Sequence, residues 1–322
     1  MIIPLKWCEV RDDGPRVAEM ERYLDRLSSI VTDITVVDGS PQPVRLAHEV
    51  AWSRHARVLP PDEGGPNAAP PLNGKVVGAV TGIRAARHEL VVLADDDVRH
   101  TRESITSIVA ALDDADLVRP VNVFDAWPWQ ARWDGARSLL NVALATDWPG
   151  TFGLRRSTVL GCGGWSADVL FENLELWRTV VAAGGRAVGL ASVAVGRRPP
   201  SVSQFWSQRV RQAYDDLAQP ERLVLELAIL PLAAVAARRG ARHVAVLWAS
   251  VVVVAVRGRH RLGPDRVPWS VPFWAPTWVL ERGVCVWLAL ASRLVGGARY
   301  RGRRLRIAAH STRALQRRTS SG

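Results

Sequence analysis

The chain has 322 residues, 48% of them apolar, and 42 Lys and Arg against 31 Asp and Glu give a formal charge of +11. That apolar fraction with mixed charge excludes a mainly disordered chain, and the length allows two domains or one catalytic domain with an appendage. Cys8, Cys162 and Cys285 form no CxxC pair, which argues against a disulfide scaffold or zinc ribbon and for a reducing compartment.

In chain order, the opening Met1-Ile2-Ile3-Pro4-Leu5-Lys6 lacks the basic and long apolar stretches of a signal peptide. Arg16–Ser29 reads as a helix. Ile34–Val37 is a β-branched strand stopped by Asp38-Gly39-Ser40-Pro41, and Leu59–Pro71 is a Pro/Gly-rich surface loop. Lys75–Arg87 carries helical spacing, with Val76, Val80 and Ile83 on one face. Leu90–Ala94 is a second strand, stopped by Asp95-Asp96-Asp97, and Thr101–Leu112 is the next helix. Strands separated by helices of this length predict a parallel sheet covered on both faces, with ligands at the carboxyl ends of the strands. Both acidic turns fall at such ends. Neither GxGxxG nor GxxxxGK[ST] occurs, so dinucleotide and P-loop chemistry find no support.

Three consecutive aspartates repel one another unless a cation or solvent compensates. A divalent ion bridging a substrate's phosphates explains them, and so does a solvated turn ahead of the next helix. Asp38 reads either as a ligand-binding carboxylate or as an Asx-type turn. Lys75 reads as a phosphate partner at a helix start or as an exposed lysine. Asp125–Trp133 reads as an acceptor slot, a bilayer contact or plain packing. Arg155 and Arg156 read as contacts to a diphosphate or acceptor or, the favoured reading, as solvated arginines, and His100 is expected to lie at the surface; the histidines form no spaced ligand pair.

The charge is lopsided: residues 1–237 carry 25 basic and 29 acidic side chains, residues 238–322 carry 17 and 2. In the C-terminal part arginines edge apolar runs at Leu223–Ala237, Val244–Val256 and Gly283–Ser292, and five of the fourteen tryptophans fall there. Thirteen helical residues reach only about 20 Å against roughly 30 Å of hydrocarbon, and Pro231, Pro268, Pro272 and Pro276 interrupt the pattern. The expectation is a membrane-associated module, a short helical hairpin or interfacial helices; the competing reading is a buried helical pair. Val-rich runs argue against a nucleic-acid tail.

In order and spacing these pieces resemble the family 2 glycosyltransferases. The pieces are Asp38-Gly39-Ser40, Gly74-Lys75 through Gly82, and Ala86–Asp97 ending in an Asp-x-Asp motif. They continue with Gly163-Gly164-Trp165, the acidic start Phe171–Leu176, and Gln208-Arg209-Val210-Arg211-Gln212, which is similar to Q-x-x-R-W. The resemblance covers roughly residues 1–215, and the basic apolar end resembles membrane-associated members such as ceramide glucosyltransferases. It implies a GT-A nucleotide-sugar-binding fold, α/β with a mostly parallel central sheet, over 1–222. An apolar helical membrane-associated region over 223–298 and a basic tail over 299–322 would follow. It further implies inverting, metal-dependent transfer from a nucleoside-diphosphate sugar, expected to be a UDP-sugar, to a hydroxyl of a lipid-like or membrane-linked acceptor. The implied place is the cell membrane, with the catalytic domain cytoplasmic.

By the same resemblance Asp38, Lys75 and Asp95 bind the nucleotide. Asp95 and Asp97 hold Mg²⁺ or Mn²⁺, and Gln208 and Arg211 flank acceptor and diphosphate. The general base comes from Glu172 or, failing it, Glu175, because the usual Glu-Asp pair reads Glu172-Asn173. Gln212 in place of the motif's Trp favours single transfers. Two other classes stay open: a metal-dependent nucleotidyltransferase or phosphohydrolase, which needs a second carboxylate group near the first, and a non-catalytic membrane scaffold, which Asn173 favours.

Overall fold

A computed structural model describes residues 1–7, 14–62, 72–145, 147–148, 150–300 and 303–319. Cys8, Arg301 and most of the expected Pro/Gly loop (63–71) lie outside the described residues. The chain runs β1 (Ile2–Leu5), α1 (Gly14–Ser28), β2 (Thr35–Asp38), α2 (Gln42–Trp52), β3 (Arg57–Leu59), α3 (Gly74–Ala85), β4 (Leu90–Ala94), β5 (Val98–Arg99) and α4 (Arg102–Ala111). It continues with β6 (Leu117–Phe124), α5 (Trp129–Leu144), β7 (Thr151–Arg155), α6 (Arg156–Gly161), α7 (Glu172–Ala182), β8 (Ala187–Arg197) and α8 (Val202–Asp215). The C-terminal part holds α9 (Pro220–Arg239), α10 (Ala241–Leu262), α11 (Ala275–Leu294), β9 (Ala298–Tyr300), β10 (Arg303–Leu305) and α12 (Thr312–Thr319).

The sheet order is β3-β2-β1-β4-β7-β6-β8-β5. The pairs β1–β2, β1–β4, β2–β3 and β6–β8 are parallel. The sheet is mixed, because β7 enters antiparallel between β4 and β6, and β5 pairs antiparallel with β8. Apolar residues fill both faces of β1, β2 and β4, as covered strands require. Glycines bring α3 against them: a Cβ on Gly82 would stand 2.3 Å from Ile2 Cγ2, and one on Gly78 3.1 Å from Pro4 Cβ. Asn73 caps α3 by accepting from Lys75 N at 3.2 Å, and Thr101 caps α4 in a capping box with Ser104.

Beyond the sheet, the ends of α10 and α11 pack with α5 in one apolar cluster containing Leu139, Ala255, Leu262, Val271 and Trp278. The contact between α5 and α10 is close: a Cβ on Gly258 would stand 1.9 Å from Leu139 O. The rest of α9 and α10 forms a hairpin turning at Gly240 (φ +102°). Arg238 and Arg239 precede that turn and Arg242 follows it.

Several expectations change here. Pro231 lies inside α9 and does not end it. The Val-rich run extends through its arginine-bearing flanks into the 22-residue α10, long and apolar enough to cross a membrane by length and composition, with 11% of its apolar stretch buried. The C-terminal residues expected as a basic tail fold back: Leu305 and Ala308 join the core beside Leu174 and Tyr214, and Tyr214 donates to Arg306 O at 2.9 Å. His100 is buried, with Nδ1 3.1 Å from Ser104 Oγ; desolvation brings its pKa down to about 4. Arg155 and Arg156 are not free in solvent. They donate to Leu112 O and to Ile83 O and Arg84 O, covering helix C-termini.

Candidate active site

The carboxyl ends of β1, β2 and β4 open on a polar cleft of about 330 Å³. Asp95, Asp96 and Asp97 form its floor, and each carboxylate meets a cation. Lys75, in the first turn of α3, places Nζ 2.6 Å from Asp95 Oδ1 and 2.8 Å from Glu172 Oε1. Arg16 Nη2 is 2.9 Å from Asp96 Oδ2, which also accepts from Trp7 Nε1 at 2.6 Å, and the Arg16 guanidinium lies 3.8 Å over the Trp7 ring. Arg197 Nε is 2.8 Å from Asp97 Oδ2.

The topology makes these contacts. β5 follows the triple Asp directly and pairs Val98 with Arg197 at the end of β8, while Arg198 N donates to Asp97 O at 2.9 Å. The antiparallel β7 brings Gly150 beside Asp95, whose N donates to Gly150 O at 2.9 Å. A Cβ on Gly150 would fall 1.9 Å from Asp95 Oδ2, so only glycine leaves room for that carboxylate.

Burial raises the Asp95 pKa to about 6; the Lys75 charge opposes the rise and the charge of Asp97 adds to it. Asp97 Oδ1 is buried without a hydrogen-bond partner. Among the described residues no group of three His, Cys, Asp or Glu side chains gathers in metal-binding fashion. Two carboxylates completed by substrate phosphates are nevertheless an ordinary donor set for a hard divalent cation. With an orphaned oxygen on Asp97 and an incompletely compensated Asp95, these residues fit such an ion.

A second chamber of about 160 Å³ adjoins the cleft and shares Lys75, Asp95, Glu172, Arg197, Gln208 and Arg211 with it. One face of α8 lines both spaces: Gln204, Gln208 and Arg211 reach the cleft, and Gln208, Arg211, Gln212 and Asp215 reach the chamber. These positions share a face because they recur three and four residues apart. Although burial acts the other way, the charge and hydrogen bond of Lys75 hold Glu172 below the usual carboxylate range.

The structure therefore gathers Lys75, Asp95, Asp97, Glu172, Gln208 and Arg211. It separates two of the expected residues. Asp38 is fully buried, its oxygens taken by His48 Nδ1 at 2.7 Å and Ser40 N at 2.8 Å; the backbone of the same turn, at Gly39, reaches the cleft instead. Glu175 is fully buried away from both spaces, with His310 Nδ1 and N each 2.7 Å from its carboxylate. The C-terminal segment folded back on α7 takes up the Glu175 carboxylate through His310. Arg197, Arg16 and Trp7 were missed. The Gly196-Arg197-Arg198-Pro199-Pro200 strand end was the only sequence signal for Arg197.

No protein-family model and no curated protein sequence matches the chain. Among solved structures, a mannosyltransferase from Pyrobaculum calidifontis in complex with GDP-mannose and Mn²⁺ is similar. The identity is 16%, the TM-score 0.52, and the match covers 91% of this chain and 86% of that one. Glucosyl-3-phosphoglycerate synthase from Mycobacterium tuberculosis, in complex with Mn²⁺ and UDP-glucose, aligns at 15% identity and a TM-score of 0.42 over 64% and 73% of the two chains. The fold is the GT-A fold: a mixed central sheet flanked by helices, with its cleft at the strand ends.

Proposed function

We propose that the protein is an inverting glycosyltransferase of the family 2 type that moves a sugar from a nucleoside-diphosphate sugar to a hydroxyl group. The observation that carries this reading is the pair Asp95 and Asp97 on the floor of the strand-end cleft, ringed by Lys75, Arg197 and Arg211. Mg²⁺ or Mn²⁺ bound by the two aspartates would neutralise charge on the diphosphate. Lys75 and Arg197 add fixed positive charge beside the leaving group. Arg211, whose guanidinium lies 5.6 Å from the centre of the Tyr300 ring, is placed to do the same from α8. Trp7 and Arg16 offer a flat, positively charged wall for the nucleoside end. The similar mannosyltransferase structure holds GDP-mannose and Mn²⁺, so guanosine donors stand beside the expected uridine ones.

The acceptor in this proposal is lipid-like or membrane-linked. Val246, Trp248 and Val253 of α10 and Leu225 and Leu232 of α9 are exposed, and Arg238, Arg239 and Arg242 stand at the hairpin turn. Trp269, Phe273 and Trp206 are exposed nearby, with Trp206 joined through Trp133 to Trp274. Exposed apolar helices with arginine and tryptophan borders suit a lipid surface, and the cleft would then work at its cytoplasmic side.

A screen of nucleotide sugars for Mn²⁺-dependent hydrolysis, paired with melting curves, tests the reading. A fitting nucleotide at 100 times its Kd contributes about 2.7 kcal/mol, raising Tm by on the order of 5 °C. Hydrolysis of none of them, with stabilisation only by nucleotides that are not diphosphates, would contradict it. Such a result would favour a nucleotidyltransferase.

A further inference from the structure

The second chamber raises the question of what removes the acceptor's proton. Four carboxylates line it: Asp95, Glu172, Asp215 and Asp216. Lys75 holds the first two at 2.6 and 2.8 Å. Asp216 is held by Arg222 and Arg282, each at 2.9 Å. Asp215 has no ion pair among the described residues, and its Oδ1 is buried without a hydrogen-bond partner. Asn173 lines the same chamber, but an amide takes no proton. A carboxylate locked to an ammonium is a weak base, whereas a buried one without an ion pair is a stronger one.

We propose that the chamber receives the acceptor hydroxyl and that Asp215 is the general base; this rests on the transferase reading above. The acceptor O–H gives its proton to the Asp215 carboxylate while its oxygen bonds the donor's anomeric carbon. The bond from that carbon to the diphosphate breaks, its electron pair leaves with the diphosphate oxygen, and Asp215 later releases the proton to solvent. Helix spacing supports the placement, since Asp215 lies on the same face of α8 as Gln208 and Arg211, which line both cleft and chamber. The groups facing Asp215 are Arg211 and Asp216 from its own segment, Glu172 from α7 and Arg282 from α11. Burial, reinforced by Glu172 and Asp216 and opposed by the two arginines, lifts its affinity for a proton well above the ordinary carboxylate value.

Two acceptors that differ only in needing a base separate this role from a structural one. With UDP-glucose and GDP-mannose as donors and Mn²⁺ present, water must be deprotonated to attack, whereas azide attacks without losing a proton. Asp215→Asn is expected to lower hydrolysis of the accepted donor by about 10²-fold or more, yet to form glycosyl azide within threefold of the wild-type rate. Asp215→Ala is read the same way should the amide variant not fold. Hydrolysis retained within threefold, or equal loss of both reactions, overturns the assignment while leaving the transferase reading intact. A wild type that neither binds nor hydrolyses any nucleotide sugar defeats both.

Discussion

At the scale of single residues, each acid lining the site meets a cation among the described residues except Asp215. Lys75 ties α3 to both β4 and α7, so it positions as well as neutralises. Gly150 is the least visible member of this site. Its missing Cβ leaves the space that Asp95 Oδ2 occupies, and Asp95 is one half of the proposed cation grip. Gly150→Ala is expected to turn that carboxylate aside, weakening Mn²⁺-dependent nucleotide binding by tenfold or more. Tm should move by only a few degrees, because an Asp side chain can rotate away without disturbing backbone. Unchanged nucleotide affinity, measured by titration calorimetry, would show that Asp95 does not need this pose. Lys75, Asp95, Asp97, Glu172, Gln208 and Arg211 were legible because each sits in a short motif. Arg197 was not, since its contact with Asp97 spans 100 residues and depends on the β5–β8 pairing. Asp38 shows the converse: the motif was visible, but the burial that gives its oxygens to His48 and Ser40 was not.

Among the elements, the β-branched runs before acidic turns marked β2 and β4 well. The antiparallel β7 was not legible, because Thr151–Arg155 is a short segment with no pattern that separates it from a parallel strand. The α9–α10 hairpin was anticipated as an apolar module, yet its length was not: reading only the uncharged residues stops before the arginines that continue α10. Its exposed face leads to a prediction. Trp248→Glu with Val253→Glu removes two apolar anchors, each worth about 1.5–3 kcal/mol if buried in lipid, and adds repulsion from an anionic surface. Co-sedimentation with phosphatidylglycerol vesicles should fall at least tenfold, with Tm unchanged because both residues are exposed. Equal sedimentation of variant and wild type would place the membrane contact elsewhere or remove it.

For the molecule as a whole, strand-end chemistry and helical appendage belong to one packed unit. The bases of α10 and α11 share a core with α5, and the C-terminal segment closes over α7 and α8. A lipid surface met by the hairpin would thus lie at a fixed geometry to the chamber, consistent with an acceptor delivered from the bilayer. The composition made a basic, apolar C-terminal part plain from the start. How it returns to complete the chamber was not legible, because Arg282 meets Asp216 across 66 residues. The most direct measurement is calorimetric titration of UDP and GDP into wild type and Asp97→Ala, each with and without Mn²⁺. A cation held by Asp95 and Asp97 against the diphosphate predicts Mn²⁺-dependent binding of one nucleotide by the wild type, weakened about 100-fold or more in the variant. Equal affinity in both proteins, or binding indifferent to Mn²⁺, would contradict it.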